Sequence, residues 1–364
     1  MTGIAIIGSG IFAKEEHLPA IQAVPSLVTL KAIYSRSLKS ATALAENISD
    51  VDLYSDDSDG KTFDDLLKRD DVKALIIALP IPAQPAYIKK ALSAGKHVLA
   101  EKPIAKDIAT AQELLAWTKD PANTTATFSV AENFRFLDSF KHGAKQIATL
   151  GRILTFRTRI ANFVVAGSKY YETSWRKEPA YQGGFLLDGG VHFAAATRLL
   201  LSSAGQKIKS LSAYTAQLQE HLPPVDTLNA IAQLESGASG TFAVSFGTTD
   251  KGSEYLVACE EGSVHVSMGK VTVKKGGKVV EEKEFKDEGS GVKQEVKAWA
   301  ESLESGKWRA EQNGEQALGD LEIIESALRS GEKGGERVEL KFQLWEGMGY
   351  EVQVGYITKW EENP

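Results

Sequence analysis

Cysteine is nearly absent from this chain of 364 residues: Cys259 stands alone, so no intrachain disulfide and no cysteine-based zinc cluster can form, and a reducing compartment fits best. No apolar run approaches the roughly 20 residues needed to cross a bilayer, which excludes a membrane span and leaves a cytoplasmic protein as the expectation. Positive charge is not in excess either. Lys and Arg number 42 against 48 Asp and Glu, a net charge of −6 with no long basic block, and this argues against a nucleic-acid partner. His, Asp and Glu show no convincing metal spacing, and neither solenoid repeats nor low-complexity tracts occur.

What is present is a globular composition, 43% hydrophobic and 25% charged, on a chain long enough for two domains. The first part alternates short apolar runs (IAIIG, VTLKAIYS, KALIIALP, KHVLAEKP, TATFSVAEN) with segments of helical spacing such as SATALAENI and IATAQELLAW. Ile-, Val- and Leu-rich strands separated by helices predict a parallel sheet covered on both faces. Past residue 150 the rhythm changes. GRILTFRTRIANFVV alternates, GGFLLDGGVHFAAATRLLL reads as a helix, and IKSLSAYTAQL, TLNAIAQLES, GTFAVSFGTT, EYLVACEEG, SVHVSMG and KVTVKK read as successive antiparallel strands with Gly-containing turns. Helices are expected again around Lys293–Ser305 and Gln316–Ser330. The expected fold is an α/β domain built on that parallel sheet, 1–134, followed by an α+β domain, 135–364, with a large, mostly antiparallel open sheet.

The glycine turn after the first strand runs Gly8, Ser9, Gly10, Ile11, Phe12, Ala13. GxGxxG/A alone is weak, but here a strand precedes it, a helical segment follows and a second strand ends near Tyr34, which makes it a dinucleotide cradle. Gly8 permits the tight turn, Gly10 lets the backbone approach a pyrophosphate, and Ala13 keeps helix and strand close. Pro19 should leave that helix short. At the end of the second strand, where an Asp or Glu would hold a ribose 2′-hydroxyl, the chain has Ser35, Arg36, Ser37 and Lys39. Hydroxyls and cations suit a 2′-phosphate, so NADP is expected over NAD; a solvated turn with Ser37 as a helix N-cap is the plainer alternative.

Further on, AGKHVLAEKPIA ends a strand with Glu101, Lys102 and Pro103, and SWRKEPAYQGGFLLDGGVH combines Trp175 and Arg176, a Gly pair, and Asp188, Gly190 and His192. With the N-terminal glycine turn, these motifs resemble the Gfo/Idh/MocA family over most of residues 1 to 335. The resemblance implies a Rossmann domain followed by an open sheet often used for dimer or tetramer contacts, and an NAD(P)-dependent oxidoreductase acting on sugars, cyclitols or related compounds. By position it makes Lys102, Asp188 and His192 the catalytic set and puts Trp175 and Arg176 near the nicotinamide half of the cofactor. Glu101 belongs to the same motif. Leu79 and Pro80 would pass the adenosine side, Gln84 opens the next helix, and Asn133, in AENFRF, would reach the nicotinamide ribose or the substrate; each of these can equally be a turn or capping residue.

The chemistry of the residues agrees with that set. Moving a hydride between an alcohol and a nicotinamide requires an acid or base for the hydroxyl proton, which His192 can supply near neutral pH. Asp188, four residues earlier, shares a helical face with it and can orient the imidazole, contact the substrate, or both. Lys102, at the carboxyl edge of a parallel strand, can polarise the reacting oxygen. A lone lysine there would be a solvated charge and a lone histidine a core residue, but the joint pattern favours catalysis. His17, His97, His142, His221 and His265 lack such company and read as structural or surface residues. Many family members carry an Asp where this chain has Ala195. Substrate would be met by residues such as Phe163, Tyr170, Tyr171 and Tyr181.

Two other functions fit the same fold: a dinucleotide sensor without turnover, disfavoured by the retained acid–base set, and an NAD-assisted glycosidase, disfavoured by the cationic turn. A homodimer or larger is expected through second-domain strands between about Lys207 and Val280. The alternative is a monomer whose segment after Lys341 folds back over that sheet.

Overall fold

A computed structural model describes residues 1–267 and 269–343; the stretch 344–364, and with it most of the tail expected to pack or pair after Lys341, lies outside the described residues. The first sheet contains β1 (Thr2–Ile7), β2 (Val28–Ser35), β3 (Asp52–Ser55), β4 (Ala74–Ile77), β5 (His97–Glu101) and β6 (Phe128–Ala131) in the order β3-β2-β1-β4-β5-β6. Every pairing in it is parallel. The order reverses between β1 and β4, and in open sheets of this kind the crevice at the carboxyl ends of those strands is where ligands bind.

Alternate side chains of β1 enter different cores because a strand has a period of two. Ala5 and Ile7 pack with Tyr34, Leu75 and Ile77 on one face, while Ile4 and Ile6 pack with Ile33, Ile76 and Leu99 on the other. That second face is closed by a helix from far along the chain, Val292–Ser305, which contributes Val292, Val296 and the fully buried Trp299. The segment after the glycine turn is a widened π-turn, Ala13–His17, running into a five-residue helix, Leu18–Gln22, with Pro19 in its first turn. Proline fits near the start of a helical segment because its ring presets φ at a helical value.

Among the described residues the second sheet holds nine strands: β7 (Ile153–Ala161), β8 (Ile208–Ala216), β9 (Thr227–Leu234), β10 (Ser239–Ser245), β11 (Gly252–Cys259), β12 (Gly262–Ser267), β13 (Lys270–Lys275), β14 (Lys278–Glu284) and β15 (Val338–Glu339). Their order is β14-β13-β12-β11-β7-β10-β9-β8-β15. All pairs are antiparallel except β7 with β10. Helices Asp138–Ile147, Gly184–Ser202 and Gly314–Glu332 cover one face. The other leaves Leu154, Tyr214 and Ile231 exposed among charged neighbours such as the Arg157–Glu254 pair.

Candidate active site

A cavity of about 630 Å³ opens at the carboxyl ends of β1, β2, β4 and β5, between the first domain and the segment that carries Tyr170, Thr173, Ser174, Trp175 and Arg176. Its floor is the glycine turn. Gly8 has φ +107°, and a Cβ there would lie 2.2 Å from the Ala78 carbonyl oxygen, so only glycine fits between β1 and β4. A Cβ on Gly10 would meet nothing within 4 Å; it would project into space that the backbone leaves open. Ser9, Ile11, Phe12 and Ala13 complete this wall, and Leu79, Pro80 and Ile81 form the opposite side. A glycine-lined turn facing a cavity of this size fits a nicotinamide dinucleotide.

At one end of the cavity, Ser9 Oγ donates to Ser35 Oγ at 2.8 Å, tying the turn to the end of β2, and Arg36 and Ser37 line the wall beside it. Ser37 is also the N-cap of the helix Leu38–Ala45, its hydroxyl accepting from Ser40 N at 3.3 Å. Lys39 is not among the lining residues, because it lies on the exposed side of that helix's first turn.

At the other end, side chains from both domains meet. Lys102, just past β5, donates through Nζ to the Asp188 backbone oxygen at 2.9 Å and to Asp188 Oδ1 at 3.0 Å. Arg176 Nε donates to Asp188 Oδ2 at 2.8 Å, and its guanidinium lies 4.0 Å from the Trp175 ring centroid. Burial would raise the Asp188 carboxyl, but the Lys102 and Arg176 charges overcome it and hold it at about 2. Asp188 is therefore an anion fixed between two cations, with both oxygens engaged.

His192 stands one helical turn beyond Asp188 and does not line this cavity. Its partner is a residue that sequence reasoning missed. Nδ1 is 2.6 Å from Glu132 Oε1, and the ring stacks on Phe134 with centroids 4.7 Å apart and planes 17° apart. Glu132 directly follows β6 and is fully buried; burial raises its carboxyl, yet the His192, Arg135 and Lys102 charges bring it below the usual range. Of the two roles open to Asp188, orienting the imidazole thus has another occupant. The signal for Glu132 was its place at the end of a parallel strand, beside the Asn133 that was singled out.

Asn133 and Gln84 are not brought to the cavity. Asn133 Nδ2 donates to the Ser290 carbonyl at 2.5 Å, holding the loop before helix Val292–Ser305. Gln84 Nε2 donates to the Glu101 carbonyl at 2.9 Å and to Pro103 O at 3.4 Å, bracing the Glu101–Pro103 turn from behind. Glu101 lines the cavity while its Oε1 lies 2.7 Å from Nε2 of the buried His17. Tyr170 lines the cavity and Tyr181 is half-buried near Asp188, whereas Tyr171 packs edge-on against His221.

Comparison with known proteins bears on the same two halves. Residues 2–127 match an oxidoreductase family described by its NAD-binding Rossmann fold, and residues 144–340 match that family's C-terminal alpha/beta domain. The chain is 39% identical to the dehydrogenase FPY6 of Fusarium mangiferae, over 94% of this chain and all of that protein. It is 24% identical to D-xylose 1-dehydrogenase (NADP(+)) 2 of Haloferax volcanii, over 90% and 97% of the two chains. The crystal structure of an oxidoreductase from Thermotoga maritima superposes with a TM-score of 0.83 at 28% identity, covering 94% of this chain and 99% of that one. A Rossmann cradle joined to an open-sheet domain, with matches running through both, makes this chain a member of the Gfo/Idh/MocA family of NAD(P)-binding oxidoreductases.

Proposed function

We propose that this protein is an NADP-dependent oxidoreductase acting on a sugar, polyol or related carbonyl or hydroxyl compound. The observation that carries the reading is the meeting of Lys102 and Asp188, one from each domain, 3.0 Å apart at the far end of a glycine-floored cavity. When bound, the dinucleotide accepts or supplies the hydride at its nicotinamide ring. The Lys102 ammonium faces the reacting oxygen and stabilises negative charge on it. Asp188 keeps Lys102 and Arg176 in place and can accept from a neighbouring substrate hydroxyl. In the oxidative direction His192 takes the hydroxyl proton as the carbon–oxygen double bond forms; in the reverse direction it returns that proton.

Arg36, Ser35 and Ser37 support the preference for NADP, since they bring a cation and hydroxyls to one end of the cavity. The name of the Haloferax volcanii relative, an NADP(+)-dependent xylose dehydrogenase, supports both the cofactor and the substrate class. The exposed face of the second sheet, with Leu154, Tyr214 and Ile231 between charged side chains, supports a homodimer formed through those strands.

A panel of aldoses, cyclitols, polyols, dicarbonyls and dihydrodiols, assayed with NADP+ and NADPH by the absorbance of reduced nicotinamide, tests the reading. Turnover with a lower KM for NADP+ than for NAD+ is expected. Dinucleotide binding without turnover across the whole panel would leave a sensor instead.

A further inference from the structure

We infer that Glu132 is the positioning residue of the acid–base histidine, holding His192 in the tautomer that presents an unprotonated Nε2 to the substrate. This rests on the oxidoreductase reading for its consequence, but its geometry stands apart from it. His192 has two ring nitrogens, and the hydrogen bond made by one decides the state of the other. Nδ1 faces Glu132 Oε1 at 2.6 Å, so a carboxylate there requires Nδ1 to carry the proton and donate it. Nε2 has no hydrogen-bond partner among the described residues, and the imidazole keeps 15% exposure. A base with its lone pair at the open nitrogen is what proton removal from a hydroxyl needs.

The carboxylate is itself held. Glu132 Oε1 also accepts from Phe134 N at 3.2 Å, and Phe134 is the residue on which the imidazole stacks, so one short turn fixes acceptor and ring together. Its second oxygen, Oε2, is buried without a hydrogen-bond partner among the described residues. The charged and titratable groups around Glu132 come from every element packed against it: Arg135 on its own turn, Lys102 beyond β5, Glu295 on helix Val292–Ser305, and Tyr255 on β11. The two cations favour the carboxylate. Burial, with Glu101 and Glu132 as neighbours, raises the Glu295 carboxyl well above its usual range, which disfavours a competing negative charge there.

The division of labour follows. Asp188, held between Lys102 and Arg176, is the electrostatic partner of the cations; Glu132 is the partner of the base. The two carboxylates act at different places: Asp188 faces the two cations, and Glu132 faces Nδ1.

The test uses the full-length protein labelled with 15N at histidine and the near-isosteric Glu132→Gln variant, with His192 assigned by the signal missing from His192→Ala. The wild type with bound NADP+ is expected to show the Nδ1-protonated tautomer, and Glu132→Gln a mixture or the Nε2-protonated form. On a substrate from the panel above, Glu132→Gln should lower kcat by about 10²-fold, with little change in dinucleotide Kd, and shift the acidic limb of the pH–rate profile. The double variant His192→Ala/Glu132→Gln should be no slower than His192→Ala alone, since a residue acting through another adds nothing once that other is gone. An unchanged tautomer in Glu132→Gln, or a full additive loss in the double variant, would overturn the assignment. If no compound is turned over, the oxidoreductase reading fails, while the tautomer measurement still decides the role of Glu132.

Discussion

The proposed preference for NADP rests on one side chain, Arg36. It lines the cavity at the end of β2, next to Ser35 and Ser37, while Lys39 of the same turn does not. A charge-assisted contact is worth about 1.5–3 kcal/mol, or roughly ten- to a hundredfold, so Arg36→Ala should raise the KM for NADP(H) by that factor and the KM for NAD(H) far less. Steady-state kinetics with both cofactors check this; equal losses for the two would remove the 2′-phosphate from the account. At this scale the sequence was partly legible. Lys102, Asp188 and Arg176 come from distant segments, and the motif pattern drew attention to all three. Gln84 and Asn133 sit at strand and helix ends where binding residues are common, but their amides satisfy backbone carbonyls at 2.9 and 2.5 Å instead. Glu132 escaped notice because its partner is 60 positions away, and no local spacing encodes that contact.

The helix Val292–Ser305 belongs by sequence to the second half of the chain and by packing to the first. Its inner face puts Val292, Val296 and Trp299 on the first sheet. It also buries Glu295, with Oε1 lacking a hydrogen-bond partner, where burial and the neighbouring Glu101 and Glu132 push the carboxyl well above its usual range. An acid raised on folding costs nothing below its unfolded value of about 4.3. Stability is lost as pH rises above that point, because the unfolded chain releases a proton that the folded one keeps. Glu295→Gln is therefore expected to melt higher than wild type at pH 7, with the difference closing near pH 4. Thermal melts of both proteins across that range check it, and a wild type more stable than the variant at pH 7 would mean that the carboxylate has a partner there.

Legibility at the scale of elements followed pattern strength. The apolar runs of β1, β2, β4, β5 and β6 announced themselves, and so did the alternation of β7 to β13. β3 is four residues long, and β14 is almost wholly exposed, so neither carries the periodicity that burial imposes. The turn into β14 holds Gly276 and Gly277, both at positive φ, as a two-residue turn between strands requires. The parallel pairing of β7 with β10 was not readable, since strand order depends on contacts between residues 84 positions apart, such as Arg157 and Thr241.

For the whole molecule, the open face of the nine-stranded sheet bears on assembly. Strands β7, β9 and β8 expose Leu154, Ile231 and Tyr214, interspersed with the Arg157–Glu254 and Arg159–Asp250 pairs. A sheet with a mixed apolar and charged face is a suitable surface for a second copy. Light scattering at micromolar concentration should give a mass near twice 39.4 kDa; a monomer mass that holds across dilution would exclude that interface.

The proposed active site depends on the whole molecule as well, since the residues just past β5 and β6 supply Lys102 and Glu132 while the long helix Gly184–Ser202 supplies Asp188 and His192. In the proposed mechanism this junction moves a proton in step with hydride transfer. The most direct measurement is single-turnover reduction of NADP+ by a substrate identified in the panel, in wild type and His192→Ala, with dinucleotide Kd measured in parallel. The account predicts a loss of about 10²–10⁴ in the rate of the chemical step with Kd nearly unchanged, because the imidazole lies outside the dinucleotide cavity. A His192→Ala protein that reduces the cofactor at the wild-type rate would contradict it and leave the histidine as a structural residue packed on Phe134.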